Sequence, residues 1–219
     1  MGSSMPYAAG GQASLNPRGG LGAIDRVTRA FDRRLRRLRG IYEFSRDPGC
    51  IYRLSVERAS RDTALPDGTV FRRGDPVGVL HLWGEHVPAI PPAGADLAWA
   101  ARMARALYRS TALLALHASE EPSLRSIPAF GNHAFLTYTP ATLRLLERLG
   151  FAVLEEVPEG RVHRRAWWRI ARFWTWCLRR TFNRRSVAGV GPGDLRSRPV
   201  WMSRRTLLGK YAGRGADSP

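Results

Sequence analysis

The chain has 219 residues, 44% of them hydrophobic, enough for the core of one ordinary domain with extensions. Its formal net charge of +17 is unevenly spread: residues 1–48 hold 9 basic against 4 acidic side chains, residues 49–159 hold 11 against 12, and residues 160–219 hold 15 against 2. Basic flanks around a neutral centre point to a polyanionic partner, nucleic acid or an anionic bilayer face. The two distant cysteines, Cys50 and Cys177, exclude a disulfide framework and a cysteine-rich zinc site, and indicate a reducing compartment.

Residues 1–22 are small and glycine-rich without an apolar centre, so they read as a disordered tail rather than a signal peptide. Residues 23–48 follow as a basic amphipathic helix. Val27, Phe31, Leu35 and Leu38 recur at helical spacing between arginines, which predicts a helix over 23–42 with its basic side outward. From Cys50 the period becomes two, with Cys50, Tyr52, Leu54 and Val56 alternating against Ile51, Arg53, Ser55 and Glu57. "LPDGT" at 65–69 supplies a tight turn, Val77 to Trp83 alternates again, and residues 50–84 are expected to form a β-meander.

That second strand runs into "HLWGEH". Zinc peptidases place two histidines one helical turn apart, as HExxH or HxxEH; here His81, Glu85 and His86 have the wrong spacing and sit at a strand end. A different grouping is open: His81 and Glu85 meeting His133, from "FGNHAF", to bind a divalent ion or do acid/base chemistry. The plainer alternative is that His81 is a sheet residue with a satisfied hydrogen bond. No resident metal or cofactor is assigned.

Asp96 is placed to cap an Ala-rich helix over 97–117. "HAFLTY" then reads as a strand, Thr139 as N-cap, Pro140 as first helical residue, "ATLRLLERL" as helix, Gly150 as its end and "FAVLEEV" as a returning strand. Strand, helix, strand implies a right-handed parallel crossover. The fold class is therefore α/β in the mixed α+β sense: a meander plus a β-α-β unit in one mixed sheet, covered by helices.

Residues 161–185 contain nine arginines, four tryptophans and no acid. At 100° per residue, Trp167, Ile170, Ala171, Trp174, Cys177, Leu178 and Phe182 share one face, and Arg165, Arg169, Arg172, Arg179 and Arg180 the opposite one. Trp176 projects among the arginines. Two readings are open. Either the apolar face packs on the sheet and the arginines are solvated, or the helix lies in a membrane interface with its arginines on lipid phosphates. Arginine with interleaved aromatics also fits nucleic acid, though no nucleic-acid-binding motif is present. No segment is apolar enough to span a bilayer.

"DGTVFRRGDPVGVLHLWGEHVP", "TPATLRLLERLGFAVLEE" and "RPVWMSRRTLLGKY" together resemble the YkoP-like domain family, over residues 49–211, with 212–219 left as a second disordered tail. The resemblance implies a bacterial cell-envelope setting, since members occur alone or joined to polysaccharide-deacetylase domains, but it supplies no reaction. The leading expectation is a cytoplasmic protein, peripheral on the inner face of the membrane and accessory to envelope glycan or lipid metabolism, with an enzyme of that pathway as partner. The alternatives are an enzyme using His81, Glu85 and His133, and a non-specific nucleic-acid binder.

Overall fold

The computed structural model describes residues 22–136, 138–155 and 162–213, with the side chains of 23, 24, 136 and 162–167 outside that description. The expected tails, 1–22 and 212–219, lie almost wholly outside it as well.

The alternating segments after Cys50 form β1 (Tyr52–Arg58) and β4 (Pro76–Leu82), paired antiparallel from Tyr52↔Leu82 to Arg58↔Pro76. Between them, β2 (Thr63–Ala64) and β3 (Val70–Phe71) make a separate two-stranded hairpin, so the meander is interrupted and β1 meets β4 directly. The hairpin turn is the expected one. Gly68 holds φ at 83°, which a side chain would strain, and the Asp67 carboxylate accepts the Thr69 N–H at 2.9 Å.

α2 (Leu97–Glu120) carries the chain to β5 (Ala129–Leu136), which lies parallel to β4. Asp96 caps α2 by accepting from the Trp99 N–H at 2.6 Å. Ser110, fully buried in α2, accepts the Ile51 N–H at 2.8 Å and donates to the Ala106 carbonyl at 2.7 Å, tying helix to sheet. α3 (Pro140–Leu149) has its expected ends: Thr139 Oγ1 accepts the Thr142 N–H at 3.2 Å, and Gly150 turns the chain at φ 96°.

The returning strand is shorter than expected, β6 being only Ala152–Val153, and it does not pair with β5. β7 (Arg196–Ser203) lies between them and runs antiparallel to both, giving the sheet order β1-β4-β5-β7-β6. α5 (Arg204–Tyr211) follows. The described residues form an α+β fold around a mixed sheet.

One sheet face carries Leu54, Leu80, Phe130 and Met202 against Leu114 of α2, Leu149 of α3 and Leu207 of α5. Each such buried side chain contributes about 1.5–3 kcal/mol. The other face is divided. At one end the hairpin packs Leu65 and Phe71 on Val77, Val79, Ala129 and Trp201; at the other lie α1 (Ala23–Leu38) and α4 (Val162–Phe182). α1 ends four residues earlier than the periodicity predicts, at a turn through Gly40 with φ 61°, and Tyr42 then bridges to Leu54 at the sheet edge.

Candidate functional site: the basic helix pair

The strand registers place His81 opposite Arg53 and bring His81 and His133 to the same face of neighbouring strands. They nevertheless belong to separate contacts. The Ser55 hydroxyl donates to Glu57 at 3.1 Å, which commits its proton, so His81 Nε2 at 3.0 Å must donate to Ser55. Burial pushes the His81 imidazole down to about 4, and it is neutral at physiological pH. A histidine that donates to a fully buried serine cannot deprotonate it.

Glu85 lies 3.6 Å from the Arg53 guanidinium, and the His133 ring rests on Trp168 with centroids 4.7 Å apart. Among the described residues no three histidine, cysteine or acidic side chains are grouped to hold a metal. "HLWGEH" instead acts as a joint. Arg53, 5% exposed, donates to Glu43 at 2.9 Å and lies over Trp83 at 4.3 Å; Trp83 stacks on His86 at 3.6 Å, and His86 Nδ1 donates to the Cys50 carbonyl at 3.0 Å. Gly84 seats the Phe182 ring of α4, where a Cβ would come within 2.7 Å.

Above this polar joint α1 keeps the expected basic outer side, but most of its apolar residues face outward with it, Leu35 alone of the four being half-buried. Its buried side is polar: Asp25 and Thr28 are buried and Arg29, Asp32 and Arg36 half-buried, while Val27 is 68% exposed, Phe31 48% and Leu38 72%. The sheet beneath explains this, because Arg53 and Glu85 present charge there rather than an apolar floor. Asp32 pairs with Arg36 at 3.1 Å, and burial holds its carboxyl above the ordinary range. Thr181 donates to Asp25 at 3.3 Å, Arg29 lies over the Phe182 ring at 4.5 Å, and Phe31 meets Trp174 edge-on at 4.9 Å. These contacts pack α1 against α4.

α4 divides its apolar face: Ala171, Trp174, Cys177, Leu178 and Phe182 are half-buried, whereas Ile170 is 60% exposed and Phe173, outside that face, is 55% exposed. Arg172, Arg179 and Arg180 are half-buried, and Arg179 donates to the Ser186 carbonyl at 3.0 Å, its pKa lowered by burial. Arg169 is exposed. Trp168 covers His133 and Phe135. Trp176 has a niche that the sequence did not suggest: its Nε1–H donates to the Val190 carbonyl at 2.8 Å under the Arg180 guanidinium. The side chains of Arg165 and Trp167 lie outside the described residues.

The outer side of the pair is thus an apolar stripe, Val27, Phe31, Leu38, Ile170 and Phe173, with exposed Arg26, Arg33, Arg34, Arg37 and Arg169 alongside. Both acids of α1 point inward, and α4 has none. The period at 100° per residue exposes this stripe in the sequence, but not its direction.

A scan against family models, a search of curated proteins and a search of solved structures each found no match. In the closing segment "RPVWMSRRTLLGKY", Trp201, Ser203 and Arg204 make structural contacts. Trp201 packs on Phe71; Ser203 donates to Asp67 and accepts the Thr206 N–H at 2.9 Å; Arg204 donates to the Ala118 and Leu124 carbonyls at 2.7 and 2.8 Å. Those bonds close the end of α2 and start α5.

Proposed function

We propose that this is a peripheral protein of an anionic membrane surface, docking through the outer side of α1 and α4. The observation that carries the reading is the exposed stripe among Arg26, Arg33, Arg34, Arg37 and Arg169, which form no ion pair among the described residues. Five exposed apolar side chains entering the headgroup region and arginines at roughly 1 kcal/mol each near an anionic surface suffice together for stable, salt-sensitive attachment. No described helix is long and apolar enough to cross a membrane. A second copy is a poor occupant, because it brings the same +17 charge. Nucleic acid leaves Val27, Leu38 and Ile170, the aliphatic part of the stripe, in water. The YkoP-like resemblance adds the bacterial envelope setting, with an accessory role in glycan or lipid metabolism.

The test is flotation with anionic and neutral vesicles. The wild-type chain is expected to float with anionic vesicles only, and V27S/L38S to lose about tenfold in affinity with its unfolding midpoint unchanged, since these two side chains are already 68% and 72% exposed. Strong RNA binding without vesicle binding, or equal flotation of the variant, overturns the proposal.

A further inference from the structure

We infer that the cleft between α4 and the turn Pro192–Asp194 is a site for a phosphate-monoester lipid headgroup, an inference that rests on the membrane reading above. The cleft has a volume of about 460 Å³ and is lined by Arg169, Ile170, Arg172, Phe173, Pro192 and Gly193. Its far wall is fixed to the helix, because Trp176 donates to Val190 at 2.8 Å and Arg179 to Ser186 at 3.0 Å. Asp194 is the sole acid between residues 162 and 213, and its carboxylate accepts its own turn's Gly191 N–H at 2.8 Å. The two arginines therefore meet no carboxylate among the described residues.

Arg172 supplies the second observation. Its Nε is out of solvent and has no hydrogen-bond partner among the described residues. A buried donor without an acceptor is unfavourable; this one lies beneath the cleft surface, and turning the Arg172 side chain outward onto a bound anion gives it the acceptor it lacks. Two arginines lining one cleft favour a doubly ionisable monoester over a singly charged diester, with several oxygens for charge-assisted hydrogen bonds. Ile170 and Phe173, lining the same cleft and continuous with the exposed stripe, are placed to meet the lipid's glycerol and upper acyl carbons. This commits the ligand to a lipid rather than a soluble phosphate.

The experiment compares vesicles of phosphatidic acid with vesicles of phosphatidylglycerol at matched surface charge. The wild-type chain is expected to prefer phosphatidic acid by about tenfold. R169Q/R172Q is expected to weaken binding to both lipids and abolish the preference. R33Q/R34Q, which removes the same charge from α1, is expected to weaken both and keep it. Gly193→Leu fills the cleft without changing charge, and a Cβ there meets nothing within 4 Å, so it is expected to fold, lose the preference and retain phosphatidylglycerol binding. Equal wild-type binding to the two lipids, or a preference that survives both cleft variants, overturns the cleft while leaving the membrane reading standing. Binding to neither lipid overturns both. Saturable binding of glycerol 3-phosphate as tight as that of the vesicles assigns the cleft to a soluble phosphate and overturns the lipid assignment.

Discussion

Arg53 and His81 face each other across β1 and β4, and they show how a polar residue can be buried without being catalytic. Arg53 keeps its charge under cover through Glu43, Glu85 and the Trp83 ring, whereas His81 is held neutral. The second case has a measurable pH dependence. Because the folded pKa is about 4, below the ordinary 6.5, the unfolded chain takes up the proton first as pH falls. The neutral-histidine contribution is complete above pH 6.5 and is lost toward pH 4, at up to about 1.4 kcal/mol per pH unit. Urea unfolding of His81→Gln across that range is expected to show a flatter profile than wild type; identical slopes contradict the assignment. Residue identity announced the alternation around Arg53 and Ser55, but not that both faces of β1 are covered, because no local pattern says that α1 folds back over the strand that follows it.

At the scale of elements, legibility followed the range of the interactions. Thr139, Pro140 and Gly150 mark both ends of the ten-residue α3, and Asp96 marks the start of α2, since caps are local bonds between near neighbours. β7 carries no such mark. Its run "RSRPVWMS" is covered on both sides and contains Pro199, so it lacks the alternation of a half-exposed strand and no element was expected there. The orientation of α1 was hidden for a third reason: amphipathicity defines two faces, and the polarity of the surface beneath decides which is buried. A helix seated on ion pairs and ring contacts gives up little hydrophobic burial when it lifts. Amides of residues 27–38 are therefore expected to exchange with deuterium well before those of β5 and β7, and anionic vesicles to slow them by at least about tenfold. Protection of α1 equal to that of the sheet, without vesicles, contradicts this.

Over the whole molecule, charge and architecture coincide. The basic ends of the sequence, α1 and α4, come together on one side of the sheet, while α2 and α3, from the near-neutral centre, cover the other with α5. The charge counts exposed the basic ends; their meeting depends on a topology no local pattern encodes. That topology has a testable demand. Among the described residues β7 makes the longest pairing of β5 and the only pairing of β6, so a chain stopped after Leu195 keeps β1 and β4 but leaves two strands with open edges. Such a truncation is expected to lose cooperative thermal unfolding, and retention of a sharp transition contradicts the demand.

The same strand order bears on synthesis. β6 emerges from the ribosome before its partner β7 exists, and β5 must wait with one edge unpaired while α3, β6 and the whole basic helix are made. Closure of the sheet is thus a late, non-local event, and the nascent chain passes through a stage in which an Arg- and Trp-rich helix is complete while the domain meant to hold it is not.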